Sequence, residues 1–401
     1  MHERFIARQP IFDKRLRVYA YELLFRGGPQ NYFQPSKNAA ASVIADSMTL
    51  LDLQALTGHV RAFMNVDDLA LRLGAPRLLP PDRIVVEILE TVNPTDEIVK
   101  ICHELRAAGY VLALDDFVDD PKMAPLVELA QFLKIDFQML DAGERERIAQ
   151  KYSSGHLALL AEKVETENEL AEARHLGFSY FQGYFFCKPS MIETRDIPSN
   201  KLIPLELLNA VAAPQLDYSA IEALLNREPS LLYRLLRYLN SPLLGLRAEV
   251  HSVRHALTLL GEQEFRRWLS IFAVVAMSRG KPPELVRTAL TRAYFCENFS
   301  GHAGLSGEKS TLFLMGLLSV ADALLDKPMG EVLRSLPVAE NVKTALVGGE
   351  NRFRDVYELL LALERGEWSL LSTHVERLGC TEEEIPSSYA AAIQKASTVS
   401  L

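Results

Sequence analysis

The chain has 401 residues, 48% of them hydrophobic and 24% charged, a mix that supports packed cores and argues against disorder. That length exceeds one average domain and suits two. A formal net charge of −9 at pH 7 makes the chain a poor candidate for non-specific nucleic-acid binding, which needs a basic footprint, and no direct nucleic-acid partner is expected, though a metal can supply positive charge locally to a phosphate ligand. Cys102, Cys187, Cys296 and Cys380 lie far apart and form no paired motif, which reads as a reduced, cytoplasmic protein. The start, Met1-His2-Glu3-Arg4, carries no apolar stretch of signal-peptide length. The apolar segments 269–277 and 312–325 fall short of the roughly 20 residues of a bilayer span, so no membrane partner is expected.

In chain order, short runs rich in Val, Ile and aromatic residues predict strands at 18–25, 61–66, 84–89, 111–117, 132–137, 157–164 and 180–185. Helical patterns lie between them. The segment 36–56 has recurrent Ala, Ile, Met and Leu. The segment 95–108 puts Ile98, Ile101, Cys102 and Leu105 on one face and stops at Gly109; 167–176 stops at Gly177. Repeated strand–helix alternation predicts a parallel sheet. The number of units favours closure, giving an α/β, TIM-like (β/α) barrel over residues 1–197. Pro198 and Pro204 punctuate the junction, and an all-α domain is predicted over 198–401. There Asp217 or Ser219 would cap a helix, and Leu231, Leu232, Leu235, Leu236 and Leu239 share a face. The patterns at 286–299, 311–326 and 353–363 continue the series.

The informative feature of the first half is where its polar residues fall. Glu22 sits inside Val-Tyr-Ala-Tyr-Glu-Leu-Leu-Phe-Arg, and Asn65 follows Phe-Met. Glu87 lies inside Ile-Val-Val-Glu-Ile-Leu-Glu, with Glu90 three residues later. Asp115 and Asp116 end Val-Leu-Ala-Leu; Lys134 sits in Phe-Leu-Lys-Ile-Asp. Glu162 follows Leu-Ala-Leu-Leu-Ala, and Gln182 follows Phe-Ser-Tyr-Phe. A charge inside an apolar strand is costly unless it is paired or bound to metal. Lys134 and Arg26 are the obvious bases, too few for these acids. Hard oxygen donors in excess point to Mg²⁺ or Mn²⁺, with Ca²⁺ as a third choice. The adjacent Asp115 and Asp116 would suit two ions, and two ions can activate water and stabilise the leaving oxygen of a phosphodiester. The bland alternative is a barrel lined with structural ion pairs.

Arg8-Gln9-Pro10-Ile11-Phe12-Asp13, Tyr21-Glu22-Leu23-Leu24-Phe25-Arg26 and the ordered polar set resemble the EAL family of cyclic-di-GMP phosphodiesterases, with Leu23 where the family has alanine. The resemblance covers roughly residues 4 to 195. It implies that Glu22, Asn65, Glu87 and Asp115 hold one metal and that Asp115, Asp116 and Glu162 hold a second. It implies that Lys134 orients or polarises the attacking water, that Gln182 supports the second-metal region, and that Arg26 contacts a ligand phosphate. Glu90 matches the glutamate that steadies the catalytic loop. It also implies a homodimer. Three departures stand out. The family's Asp-Asp-Phe-Gly-Thr-Gly becomes Asp115-Asp116-Phe117-Val118-Asp119-Asp120-Pro121, which loses glycine freedom and adds negative charge near a ligand that carries two phosphates. Its Glu-Gly-Val-Glu becomes Glu162-Lys163-Val164-Glu165, and the stretch from Lys134 to Glu162 is shorter than usual.

The second half resembles the HDOD family, through Leu235-Leu236-Arg237-Tyr238-Leu239-Asn240-Ser241-Pro242, Ser252-Val253-Arg254-His255-Ala256-Leu257-Thr258-Leu259-Leu260-Gly261 and Phe313-Leu314-Met315-Gly316-Leu317-Leu318-Ser319. No His-Asp dipeptide occurs, and His251, His255 and His302 read as structural or surface residues. Ser241-Pro242 and Ser252 read as helix-start features. The order of the two domains resembles the YuxH-like group of bacterial signalling proteins. Two function classes follow. The main expectation is a signalling protein with low or no phosphodiesterase activity, one metal bound more readily than the other, and an HDOD-like domain contacting a partner protein. The alternative is an active metal-dependent phosphodiesterase that converts cyclic-di-GMP to pGpG. An aldolase or sugar enzyme on the same barrel is disfavoured, because Lys134 sits among carboxylates.

Overall fold

A computed structural model describes residues 5–26, 53–153, 155–188, 199–213, 215–227, 232–233, 235–237, 240, 250 and 252–399. The chain forms two compact units, Met1–Phe185 with Leu361–Ser372, and Phe186–Leu360 with Thr373–Leu401.

Eight strands make the first unit: β1 (Phe5–Asp13), β2 (Val18–Arg26), β3 (Arg61–Val66), β4 (Ile84–Ile88), β5 (Val111–Leu114), β6 (Phe132–Asp136), β7 (Ala158–Glu162) and β8 (Tyr180–Gln182). They close into a barrel in chain order. Pairing is parallel from β2 to β8, whereas β1 runs antiparallel to both neighbours. The TIM-like barrel is thus as the sequence predicts, with β1 added. The turn into β2 is built by Asp13, whose carboxylate accepts from the backbone N–H groups of Arg15 and Arg17. Pro10 is tolerated because β8 reaches β1 only over Ile11–Asp13, so the missing N–H costs no ladder bond on that side.

The crossover helices carry the expected caps. In α1 (Asp96–Ala107) the Thr95 hydroxyl accepts from Ile98 N–H, and Gly109 follows at φ 91°. Capping boxes start α2 (Ala142–Tyr152) and α3 (Glu167–His175), pairing Asp141 with Glu144 and Thr166 with Glu169. Of the helix predicted over 36–56, only a Leu53–Thr57 helix falls among the described residues.

The described part of the second unit is helical throughout. Helix α4 (Ser199–Ala212) packs on α5 (Glu262–Met277); α6 (Pro283–Phe299) packs on α7 (Lys309–Leu318) and on α10 (Glu384–Thr398), beyond α8 (Arg352–Arg365) and α9 (Trp368–Leu378). Pro204 lies inside α4 rather than breaking the chain before it. The run 311–326 is not one helix: α7 stops at Leu318 and a short helix, Ala321–Leu325, follows. Gly316 lets α6 and α7 approach closely, since a Cβ there would stand 2.5 Å from the Arg292 carbonyl oxygen. Asp217 caps the helix Tyr218–Arg227, and Ser252 caps Val253–Leu260 through His255 N–H. Leu231, Leu239, Ser241-Pro242 and His251 lie outside the described residues. No described helix is long and apolar enough to cross a membrane.

Candidate functional site

Side chains alternate faces along a strand, so every second residue shares the barrel interior. The interior floor is Ile11, Ala20, Phe63, Val85, Ala113, Phe132 and Leu160, with Tyr180 packed against it. One step of two residues toward the carboxyl ends of β2 to β8 reaches Glu22, Asn65, Glu87, Asp115, Lys134, Glu162 and Gln182. On antiparallel β1 the same step runs backward, from Ile11 to Gln9. The polar layer is therefore the next storey of the apolar core, and every strand contributes to it.

Lys134 stands at its centre, 1% exposed. Its ammonium lies 2.9 Å from Asp115 Oδ1, 2.7 Å from Glu162 Oε1 and 3.4 Å from Glu22 Oε2, and it also bonds Glu87 Oε1. Four carboxylates thus face one cation. Burial opposes the charge on Lys134, but the surrounding carboxylates hold its pKa well above the ordinary lysine value. Burial, reinforced by the Glu22 charge, pushes Glu87 well above its usual value; burial does the same to Glu162. Asp116 is pushed up to about 6 by burial and by the charge of Asp115. At Asp115 burial also pushes upward, but the Lys134 charge and hydrogen bonds from Glu87, Lys134 and the Asp116 backbone leave it below its usual value.

Glu22 is fixed from two sides. Asn65 Nδ2 donates to Oε1 at 3.1 Å and Gln182 Nε2 donates to Oε2 at 2.6 Å. The amide oxygens Asn65 Oδ1 and Gln182 Oε1, with Glu87 Oε2 and Glu162 Oε2, are buried without a hydrogen-bond partner. Buried acceptors left unpaired are costly. Hard oxygens in this number and arrangement fit a divalent cation such as Mg²⁺ or Mn²⁺. Carboxylate oxygens of Glu22, Glu87 and Glu162 lie within 4.8 Å of one another, and so do those of Glu90, Asp115 and Asp116. This grouping differs from the one implied by the resemblance, because Glu162 joins Glu22 and Glu87 while the exposed Glu90 joins the aspartate pair. Among the described residues both groupings lie in the barrel.

The backbone turns sharply after three of these residues. Asp116, Lys163 and Gly183 follow Asp115, Glu162 and Gln182 with φ of 39°, 52° and 141°. A side chain at Gly183 is impossible, since its Cβ would stand 2.1 Å from the Val164 carbonyl oxygen. Lys163 keeps the left-handed conformation despite the loss of glycine, at a cost of roughly 1–2 kcal/mol, and its ammonium pairs with Asp136 Oδ2. The segment after Asp116 is likewise ordered. Phe117 N–H donates to the Lys134 carbonyl at 2.8 Å. The Asp119 carboxylate takes Lys151 Nζ at 2.7 and 2.9 Å and the Tyr152 hydroxyl at 2.7 Å. Asp120 accepts from Lys122 N–H and caps the 3-10 turn Pro121–Met123. Asp119 and Asp120, expected to charge the mouth, both make these local hydrogen bonds, and neither is among the residues lining the cavity above the polar layer.

Above the layer opens a cavity of about 740 Å³, lined by Glu22, Asp115, Asp116, Glu162 and Gln182 among others. Arg26 ends β2, but its side chain lies outside the described residues. Gln9 and Arg365 are polar lining residues outside the site set expected from the sequence. Gln9 belongs to an unpredicted strand, and its Oε1 accepts from Gln182 Nε2 at 3.0 Å. Arg365 comes from far along the chain. Counting back from Ile11 on β1 would have found the first; nothing local marks the second.

The EAL domain family matches residues 64–189, and the HDOD domain family matches residues 197–329. The cyclic di-GMP phosphodiesterase CdgJ of Vibrio cholerae is 35% identical over 393 residues, covering 96% of this chain and 90% of that protein. The YuxH protein of Bacillus subtilis is 33% identical over 378 residues, covering 92% of each. Among solved structures, a manganese and cyclic-di-GMP complex of Klebsiella pneumoniae BlrP1 is 22% identical, with a TM-score of 0.39 over 46% of this chain and 56% of that one.

Proposed function

Given that the chain belongs to the family in which an EAL domain precedes an HDOD domain, as in YuxH, we propose that its barrel is a metal-dependent phosphodiesterase that opens cyclic-di-GMP to linear pGpG. The observation that carries this reading is the polar layer itself, with four buried oxygens left unpaired around a carboxylate-rich centre. A relative 35% identical across nearly the whole chain bears that activity in its name. The architecture is that of cyclic-di-GMP signalling; hydrolysis is the step we add.

On this reading Glu22, Asn65, Glu87 and Asp115 hold one ion, and Asp115, Asp116 and Glu162 hold another, with Glu90 beside the aspartates. Bound Mg²⁺ or Mn²⁺ would lower the pKa of water and screen charge on the phosphodiester. The remaining work falls to this chain's own groups. Lys134 stays protonated, so it donates a hydrogen bond to the attacking water rather than taking a proton from it. Asn65 and Gln182 fix Glu22 against rotation. Arg26, the last residue of β2, is assigned a phosphate by the resemblance of Tyr21–Arg26 to the EAL family.

The sequence's main expectation, low or no turnover, rested on the altered segment after Asp116. That segment is pinned to α2 through Asp119, and neither Asp119 nor Asp120 lines the cavity, which favours the active alternative. Residues 198–401 would then act as the regulatory or partner-binding domain. Incubating the purified chain with cyclic-di-GMP and Mn²⁺, with and without EDTA, and separating the products tests the hydrolase reading. No metal-dependent pGpG would end it.

A further inference from the structure

The segment Leu361–Ser372 is grouped with the barrel, although it lies far from it in sequence. Helix α8 ends on Arg365, and Gly366 turns the chain at φ 70° into α9. Two contacts seat this turn. Gln9 Nε2 donates to the Glu364 carbonyl at 3.2 Å. A Cβ at Gly366 would come within 3.2 Å of Leu24 Cδ1, so only glycine sits there without a shift. Gln9 also accepts from Gln182, which donates to Glu22. One hydrogen-bonded line therefore runs from the carboxylate centre to the turn that carries Arg365.

Arg365 lines the acidic cavity, its guanidinium 5.5 Å above the Tyr184 ring. Its carboxylate neighbour, Glu367, stands at 4.0 Å, the outer limit of an ion pair. Among the described residues lining the cavity, the other cation is Lys163, which is held by Asp136. A ligand with two phosphates entering a mouth of carboxylates needs positive charge there, and a guanidinium binds phosphate through paired donors. We propose that Arg365 is a substrate-binding residue, holding a phosphodiester group of the dinucleotide at the barrel mouth, and that the C-terminal half of the chain supplies it. This rests on the cyclic-di-GMP reading above.

The test uses the full chain and a phosphorothioate analogue of cyclic-di-GMP that resists cleavage, titrated calorimetrically with Mg²⁺ present. Arg365→Ala should weaken binding by roughly 10- to 100-fold, Arg365→Lys less, while Mn²⁺ affinity and melting temperature match the parent. Unchanged analogue affinity in Arg365→Ala would overturn the proposal. So would a lowered melting temperature with unchanged affinity, which marks a helix-end residue complementing the dipole of α8. A parent chain that fails to bind the analogue removes the proposal as well. A parent that binds it, with the Arg365 dependence intact, but never cleaves the natural dinucleotide supports this inference and defeats hydrolysis alone.

Discussion

Lys134 shows how the site is balanced. It is fully buried among Glu22, Glu87, Asp115 and Glu162, so removing it strands several carboxylates without a counter-charge. Breaking a buried ion pair from one side costs about 3–5 kcal/mol. Lys134→Ala should therefore lower the melting temperature sharply in EDTA, and Mn²⁺ should recover much of the loss by neutralising the same oxygens. Equal loss in both buffers would mean that no cation binds beside Lys134. The parent chain should also show a pH signature in EDTA. Glu87, Glu162 and Asp116 are raised above their ordinary values, by burial first. Above roughly pH 4, where unfolded carboxylates ionise, the folded state then holds more protons than the unfolded one. Stability falls as pH rises through that window toward the raised values. Melting temperature should decline from pH 5 to pH 8 in EDTA, and the decline should flatten with Mn²⁺. A rise over that range would contradict the electrostatics described here.

At the scale of elements, the strands were legible because each parallel strand repeats one pattern: an apolar interior residue, then a polar one two positions later. That spacing is visible for Phe63 and Asn65, or Val85 and Glu87, without any structure. Strand β1 was not legible. It runs against the others, carries Arg8 and Pro10, and delivers its polar residue before its apolar one. The anchoring of the loop after β5 was not legible for a different reason. Sequence gives the charge of Asp119 but not its partners, and Lys151 and Tyr152 lie on α2, more than thirty residues away. Replacing Val118-Asp119-Asp120 with Gly-Thr-Gly removes that anchor. The exchange should lower the melting temperature, because the partly buried Tyr152 hydroxyl loses its acceptor, and should not raise turnover. A gain in turnover at unchanged stability would restore the view that the native loop is the defect.

On the scale of the whole molecule, an EAL barrel precedes a helical HDOD domain, and the two fold types were readable from the change in hydrophobic period along the chain. What the period could not carry is the return of Leu361–Ser372 to the barrel. Amphipathic spacing reports which face of a helix is buried, not against what, so Arg365 looked like any charged residue at a helix end. The expected homodimer belongs to this scale too. Light scattering across micromolar concentrations should give twice the 44.9 kDa chain mass, and a constant monomer would remove it. The central claim is that the polar layer is a working phosphodiester site, and conversion of cyclic-di-GMP to pGpG by the full chain in Mn²⁺ tests it most directly. The account predicts steady metal-dependent turnover that EDTA stops and that Glu22→Ala reduces by about a hundredfold or more. Absence of turnover in the parent chain, or turnover that Glu22→Ala leaves intact, would contradict it.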